Sequence, residues 1–487
     1  MSIFRRAVRS FCQLLAILSL PNRGVSAQSP GAPPSTIHPV LFVRARMESW
    51  DWFDTGSAGR YEYVGVTVRA GLTRQSPHFA WRAELALPML IGLPDDATLP
   101  PPAGQLGGGA TTFEASGQRR DLIHVMPRQL WVRWGRPRAG PALKAGRFDF
   151  NDGAERTPKH HVLAALRTQR INQRLIGTFA FTHVQRSFDG VVASLDGAEG
   201  NLTLAAMRPT AGVFAARTAR SLEVNLLCGA WSRDIRVGAG AADLRLFGIF
   251  SDDRRGVVPV DNRPLAARQA DTRSLRVVTL GGHWLQAVPT GLGGVDLLAW
   301  GVLQRGSWGS LGQRSGAVAL EVGFEPRGVP GRPWVRVGMA HSTGDDDPAD
   351  NRHETFYQVL PTPRVYARHP FYNMMNSSEL FASMQIRPHP KVTARVWAHR
   401  LRLTESTDLW YLGGGAFEPT TFGFAGRPAN NAQGLATVVE GALEYRPDWH
   451  WAFEVFGNFV RGGPVVNRIY GGSGTARLLY LESSFTW

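Results

Sequence analysis

The last ten residues, Leu478 to Trp487 (LLYLESSFTW), indicate the fold class. The larger apolar side chains share one parity: Leu479, Leu481, Phe485 and Trp487. The opposite parity carries Tyr480, Glu482, Ser484 and Thr486. Because a β-strand turns successive side chains to opposite faces, the segment predicts a strand with one apolar and one polar face. A last strand that ends on an aromatic residue is typical of an outer-membrane β-barrel, and the alternative is an edge strand of a β-sandwich.

The start of the chain predicts export. Arg5, Arg6 and Arg9 precede the apolar run Phe11–Leu20, and Val25-Ser26-Ala27 forms a small-residue cleavage site. This pattern predicts a signal peptide over residues 1–27, and the apolar run is too short to span a bilayer as a helix. Residues 28–38 (QSPGAPPSTIH) are predicted to be a disordered mature N-terminus, followed by a barrel over residues 39–487. The mature chain keeps one cysteine, so no internal disulfide can form.

Composition and periodicity favour a barrel throughout the mature chain. Hydrophobic residues make up 43% of the chain and charged residues 19%, and no long apolar run follows the signal peptide. Alternation of period two hides hydrophobicity from such runs. It predicts strands at 40–51, 61–74, 78–87, 129–134, 142–150, 178–195, 201–207, 222–233, 237–250, 274–287, 294–304, 315–324, 334–342, 378–387, 392–404, 434–446, 449–460 and 477–487. The fold class is therefore an all-β, antiparallel transmembrane barrel of about 18 strands, and an even count puts both termini on the periplasmic side.

The predicted connections alternate in length. Short ones at 73–78, 197–201, 388–391 and 447–448 are rich in proline, glycine and aspartate. Long ones lie at 93–121, 156–170, 252–272, 344–376 and 405–433. Short periplasmic turns with long extracellular loops are the expected barrel pattern, so we expect a multi-pass protein of the Gram-negative outer membrane.

Arginine is frequent within the predicted strands, on the parity opposite to the apolar residues. The formal net charge is +15, and about +11 remains after the four signal arginines are removed. A charge that faces lipid at mid-membrane costs a few kcal/mol, so these side chains should face the lumen. Some should pair with carboxylates such as Glu48 and Glu84 in a structural network. Unpaired guanidinium groups would attract carboxylate or phosphate, which predicts an anion-conducting lumen.

No catalytic motif is present, so we expect no enzyme activity and no cofactor. Asp345, Asp347 and Asp350 (GDDDPADN) form a weak candidate Ca²⁺ site, because clustered carboxylates suit a hard cation, although the spacing is not that of an EF-hand. The alternative is a solvated acidic loop. His341 and Ser342 would be the start of a hydrolase site, but no third partner is evident.

Several motifs resemble the alginate export family of bacterial outer-membrane porins. They are Leu143–Arg147 (LKAGR), Arg174–Gly177 (RLIG) and Arg186–Gly190 (RSFDG), in that order. Thr343-Gly344-Asp345, Thr355-Phe356 and Pro361 are similar to a loop of that family. The resemblance covers roughly residues 40–487.

This resemblance implies an 18-stranded monomeric barrel whose lumen passes an anionic polysaccharide of the alginate or polyuronate type. The substrate-binding residues that it implies are Arg147, Arg174, Arg186 and Asp189, to which strand parity adds Arg44, Arg46, Arg133 and Arg336. Expected partners are the polysaccharide, outer-membrane lipid and lipopolysaccharide, and periplasmic export components, but not nucleic acid. The alternative function is a small-anion or general nutrient porin, which a long constriction loop folded into the lumen would favour.

Overall fold

The computed structural model describes residues 36–136, 140–216, 219–362, 368–369, 372–471 and 474–487. The predicted signal peptide lies outside the described residues. The strands are β1 (Ile37–Asp51), β2 (Arg60–Gln75), β3 (Phe79–Ile91), β4 (Thr98–Leu99), β5 (Gly104–Gln105), β6 (Leu122–Ile123), β7 (Met126–Gly135), β8 (Gly140–Phe148), β9 (Phe188–Asp196), β10 (Gly200–Pro209), β11 (Val224–Val237), β12 (Gly240–Asp253), β13 (Leu275–Thr290), β14 (Gly293–Trp308), β15 (Leu311–Pro326), β16 (Trp334–Ser342), β17 (Arg352–His353), β18 (Ser377–His389), β19 (Val392–Leu403), β20 (Leu409–Gly413), β21 (Phe424–Pro428), β22 (Gly434–Tyr445), β23 (Trp451–Gly462) and β24 (Thr475–Thr486).

Short helices lie between the strands. They are α1 (Gly108–Ala115), α2 (His161–Leu166), which continues as a π-helical turn over Arg167–Ile171, α3 (Leu265–Ala270) and α4 (Pro464–Tyr470). None of the helices in the described ranges is long and apolar enough to cross a membrane.

Eighteen strands form a closed antiparallel barrel, as the sequence predicts. The short strands β4, β5, β6, β17, β20 and β21 lie in loops. Consecutive barrel strands pair with each other, and β1 pairs with β24 through registers such as Met47 opposite Leu481, which closes the barrel. The predicted disordered tail overlaps this structure, because β1 begins at Ile37 and not after residue 38.

The two parities of each strand face different surroundings. On β24 the side chain of Leu479 is 50% exposed on the outer face, whereas Tyr480 is 4% exposed and points to the interior. The same alternation places Leu303 outward and Gln304 inward on β14. The outer surface of the barrel is therefore an apolar belt, and the polar parity lines the lumen.

The two ends of the barrel differ. Both termini and short turns such as 238–239, 291–292 and 390–391 lie at one end, which we call the turn end. Aromatic pairs mark its outer rim, among them Trp451 and Phe485 with ring centroids 4.9 Å apart. The long connections lie at the other end, which we call the loop end.

The described parts of three long connections fold into the lumen instead of extending away from the barrel. The first, residues 149–187 between β8 and β9, is named the inward loop. It meets the β16–β18 connection (343–376) where the Gly177 amide donates to the Leu360 carbonyl at 2.9 Å. That connection meets the β19–β22 connection (404–433) where Asn373 donates its side-chain amide to the Tyr411 carbonyl at 3.0 Å. The described parts of these segments therefore pack against one another inside the barrel.

The inward loop corrects one predicted strand. Residues 178–195 were expected to form one strand, but the strand begins only at Phe188, and residues 178–187 belong to the inward loop. Apolar residues in this stretch are buried inside the barrel: Phe179 packs against Phe214 of another connection, and Val184 packs against Ala86 and Met126 of the barrel wall. Periodicity alone does not distinguish these two apolar environments.

Candidate functional site: an arginine-lined chamber in the lumen

The inward loop is fixed to one side of the barrel by buried ion pairs. Arg167 of the loop donates to Asp243 of β12 at 3.1 Å. Arg245 of the same strand donates to Asp152 and Glu155 of the loop, both at 2.6 Å. The strand parity that faces the lumen therefore supplies charges of both signs, and each meets an opposite charge of the loop.

The opposite wall holds the same loop by its backbone. Arg44 of β1 donates to the carbonyls of Ala180 and Thr182 at 2.5 and 2.6 Å. Arg46 donates to the Phe181 carbonyl at 2.6 Å and also to Glu48 at 2.8 Å. Arg44 and Arg46, expected to bind a substrate, are thus 7% and 2% exposed and serve as anchors of the loop.

A third attachment centres on Glu321 of β15. This carboxylate is 2% exposed and accepts hydrogen bonds from Arg170 of the inward loop at 3.0 Å and from Arg336 of β16 at 3.2 Å. Arg336 also forms an ion pair with Asp296 of β14. Arg174 lies 3.9 Å from Glu321 and stacks over the Trp300 ring at 4.6 Å from its centroid. The predicted residues Arg174 and Arg336 therefore belong to one buried network.

Beside this network the lumen retains a cavity of about 310 Å³, which we call the chamber. Its polar and aromatic lining comes from the inward loop, β16, β18, β19, β22 and the β16–β18 connection: Gln169, Arg170, Trp334, Arg336, Arg368, Ser383, Gln385, Arg395, Trp397 and Glu444. Four guanidinium groups and one carboxylate thus meet in one small space.

Carboxylates on the barrel wall orient the two more accessible arginines. Arg368 donates to Glu454 at 2.8 Å, and Arg395 donates to Glu444 at 3.1 Å and to Gln385 at 2.9 Å. Their side chains remain 23% and 19% exposed. A guanidinium has five N–H donors, so one that is held by a carboxylate along one edge keeps further N–H donors for a second anion. The chamber can therefore bind a carboxylate weakly.

Two indole rings complete the chamber. The Trp334 Nε1 donates to Asp296 at 2.8 Å, which fixes the ring orientation, and Arg336 lies 4.9 Å from the ring centroid. The guanidinium carbon of Arg368 lies over the Trp397 ring, 5.2 Å from its centroid. Trp334 also lines a larger cavity of about 640 Å³ at the turn end, together with His160 and His161. Rigid aromatic faces beside charged donors suit a ligand with an apolar ring face and an anionic group.

Two further predicted arginines occupy different environments. The Arg133 side chain faces the lumen opposite Lys144 on β8, and within the described ranges neither cation has an ion pair or hydrogen bond. Arg186 is 1% exposed and donates to the carbonyls of Gly177 and Pro361 at 2.8 and 2.9 Å. Arg133 is therefore available to an anion, whereas Arg186 joins the inner segments to each other.

Arg147 and Asp189 are not in the lumen, contrary to expectation. They face each other across β8 and β9 and form an ion pair at 2.7 Å. Arg147 also lies opposite Leu130, which is 63% exposed, and Asp189 shares its parity with Val191, which is 43% exposed. Because parity fixes the face of a strand residue, the pair lies on the outer surface near the loop end.

Sequence reasoning missed most of the chamber. Arg170 and Arg368 lie in connections that were expected outside the barrel, and no local signal shows that such a loop folds inward. The positions of Trp334 and Trp397 could have been predicted, because each lies two residues from an arginine, Arg336 and Arg395 respectively, and so shares its parity. An aromatic residue on the charged parity of a barrel strand points into the lumen.

The acidic loop does not assemble the predicted Ca²⁺ ligands. Each carboxylate accepts a hydrogen bond from the backbone amide two residues later: Asp345 from Asp347, Asp347 from Ala349, and Asp350 from Arg352. These carboxylates therefore close local turns. Among the described residues no group of three or more histidine, cysteine, aspartate or glutamate side chains could hold a metal ion.

Asp345 instead forms a contact between two inner segments. Its backbone amide donates to the carboxylate of Asp408 at 3.1 Å. Burial, with the nearby Asp408 charge, raises the pKa of Asp345 to about 7. Burial likewise raises the pKa of Asp408 to about 6, although hydrogen bonds from Thr355 and Tyr411 oppose this shift.

The candidate hydrolase residues do not face each other. His341 contacts the Ser378 hydroxyl at 2.8 Å, whereas the Ser342 hydroxyl donates to the Met374 carbonyl. As neighbours on β16 the two side chains point to opposite faces of the barrel wall.

Solved structures similar to this chain are bacterial outer-membrane proteins. OccD3 (OpdP) of Pseudomonas aeruginosa aligns with a TM-score of 0.56 and 9% identity over 97% of each chain. OccK2 (OpdF) of the same organism, in complex with glucuronate, aligns with a TM-score of 0.55 and 10% identity over 92% of this chain and 97% of its own. The P. aeruginosa outer membrane protein OpdK aligns with a TM-score of 0.52 and 8% identity over 92% of this chain and 99% of its own. At such identities the similarity concerns the fold alone.

Sequence comparison identifies the family. No curated protein matches the chain. The alginate export family matches residues 107–453, which is more than two thirds of the 487 residues. With the porin-type barrel established, the chain belongs to the alginate export family.

Proposed function

We propose that this barrel is an anion-selective channel of the outer membrane that conducts a uronate-type polysaccharide. The observation that carries the proposal is the chamber, in which Arg170, Arg336, Arg368 and Arg395 meet beside Trp334 and Trp397. Guanidinium groups bind carboxylates, and indole rings pack against the apolar faces of sugars. Family membership supports the same substrate class.

Transport in this proposal is passive. The arginines replace counter-ions of the passing chain, and the wall carboxylates behind them, such as Glu444 and Glu454, offset part of their charge. Several weak contacts allow a charged polymer to enter and to leave. Arg133 and Lys144, which form no ion pair with any described residue, lie on the opposite wall and extend the basic path. The turn end, which carries both termini, would face the periplasm.

The inward loop favours a second candidate, a small-anion porin. This loop is anchored to both walls, and the chamber of about 310 Å³ is near the lower limit of about 300 Å³ for small-molecule sites. A monomeric uronate fits such a space. The structure of OccK2 with glucuronate is an example of a similar barrel that binds such a monomer.

Single-channel recording in planar bilayers tests the proposal. The reversal potential under a salt gradient measures selectivity, and glucuronate and oligouronates of increasing length are added from each side. R368A and R395A should shift the reversal potential toward zero and weaken oligouronate block about tenfold or more, because a hydrogen bond to a charged group contributes about 1.5–3 kcal/mol. R233A, on the outer face of β11 near the turn end, is the matched control.

The outcomes separate the candidates. Block that strengthens with oligomer length supports the polysaccharide, whereas equal block by glucuronate and by oligomers supports the small-anion porin. A channel without anion selectivity and without block by either compound would overturn the proposal.

A further inference from the structure

Two arginines face each other on the outer surface of the barrel. Arg305 of β14 and Arg314 of β15 are direct cross-strand partners, and both are exposed. Arg305 shares its parity with Leu303, which is 73% exposed, and Arg314 shares its parity with Val318, which is 43% exposed. The pair therefore lies on the lipid-facing side of the wall. In the described part of the chain neither guanidinium has a carboxylate partner.

Like charges directly opposite each other destabilise a sheet unless an anion lies between them. The surroundings add more positive charge. Arg276 on β13 also faces outward, and its Nε lies 3.3 Å from Asp252, a carboxylate that Arg254 shares at 2.5 Å. Arg352 of β17 is aligned with Gly312, two residues from Arg314, and its Nε lies 3.9 Å from Asp350. Cations thus outnumber carboxylates in this cluster.

The height of the cluster on the wall indicates what surrounds it. Outward apolar residues of β14 run from Val295 to Leu303, and Arg305 follows them toward the loop end. Eight residue-to-residue steps of about 3.4 Å, tilted by about 40°, give a belt roughly 20 Å tall, close to the apolar band of such barrels. The arginines therefore lie at the level of the lipid headgroups, where a charge on the outer face costs little.

We infer that Arg305 and Arg314, with Arg276 and Arg352, bind the phosphate groups of a lipid headgroup of the lipopolysaccharide class at the loop end. Guanidinium pairs bind phosphate through parallel hydrogen bonds. On the side of the pair toward the turn end, Leu303 follows Arg305 on the outer face and Val318 follows Arg314 beyond Gly316, and both offer an apolar surface to the acyl chains. This adjacency distinguishes a lipid site from a site for free phosphate, and it is independent of what passes through the lumen.

Native mass spectrometry of the full chain in detergent, with bisphosphorylated lipid A as the probe, tests the inference. R305Q/R314Q should bind lipid A at least tenfold more weakly than wild type. R327Q/R332Q, which removes two arginines beyond the other end of β15, should bind normally. Dephosphorylated lipid A should bind wild type as weakly as lipid A binds R305Q/R314Q, and millimolar inorganic phosphate should not displace lipid A.

Thermal unfolding in the same detergent controls for folding. Without lipid the double variant should be at least as stable as wild type, because a repulsion is removed, and lipid A should raise its Tm less. If the double variant does not fold, R314Q alone gives the same comparison with a smaller change. Unchanged lipid A binding in the folded variant, equal binding of the dephosphorylated lipid, or displacement by free phosphate would each overturn the assignment.

Discussion

Replacing Glu321 with glutamine should release the inward loop from the β15–β16 wall. The carboxylate is 2% exposed and lies between Arg170 at 3.0 Å, Arg336 at 3.2 Å and Arg174 at 3.9 Å. Glutamine has nearly the same shape, so the substitution removes the charge without leaving a cavity. Arg336 keeps Asp296 as a partner, whereas the Nε of Arg170 loses the carboxylate to which it donates.

The magnitude follows from the loss of the buried ion pair between Arg170 and Glu321. Breaking a buried ion pair by removing one partner costs about 3–5 kcal/mol, and glutamine still accepts one hydrogen bond, so about 3 kcal/mol is expected. Since each 1.4 kcal/mol is about tenfold, local opening of residues 167–176 should become roughly 100-fold more frequent. Loss of one negative charge beside the chamber should also increase anion selectivity.

Amide hydrogen exchange of the barrel in detergent measures the opening, and single-channel recording measures conductance noise and selectivity. The matched control is E325Q, because Glu325 lies on the same strand and parity but pairs with the exposed Arg332 at 2.8 Å. Such a pair contributes about 0–1 kcal/mol, so little change is expected. If E321Q and E325Q give the same protection of residues 167–176, the network around Glu321 does not hold the loop.

Two other substitutions test the loop contacts and the corrected placement. The pKa values of Asp345 and Asp408 are raised to about 7 and about 6, so the contact between their segments should be strongest when both are protonated and should weaken as pH rises through 6 to 7. The amide exchange rates of residues 345–360, corrected for intrinsic rates, should therefore increase over this pH range in wild type. The increase should be smaller in D345N. R147A should leave the reversal potential unchanged, because Arg147 is paired with Asp189 on the outer surface; a shift as large as that of R395A would contradict this placement.

The strands could be predicted from the sequence because alternate residues of each strand face the apolar outer surface and the polar lumen, which gives a sequence pattern of period two. The C-terminal segment is an example, with Leu479 on the outer face and Tyr480 in the lumen. The path of the connections could not be predicted. Phe179 and Phe181 share one parity, as the residues on one face of a strand do, but they pack inside the barrel against Phe214 and Tyr480. The sequence around Arg170 and Arg368 likewise does not show that these residues lie in the lumen. Contacts between segments distant in sequence decide such positions.

The excess of arginine also has a different distribution from the one that the sequence suggests. The lumen was expected to hold unpaired arginines, yet Arg46, Arg245 and Arg336 each have a carboxylate partner. Other arginines of the excess lie on the outer face, as Arg305 and Arg314 do. Net charge is therefore a poor measure of the selectivity of a barrel. In the proposed channel, selectivity depends on accessible cations such as Arg133, Lys144, Arg368 and Arg395, because they combine a position in the lumen with donors left for a passing anion.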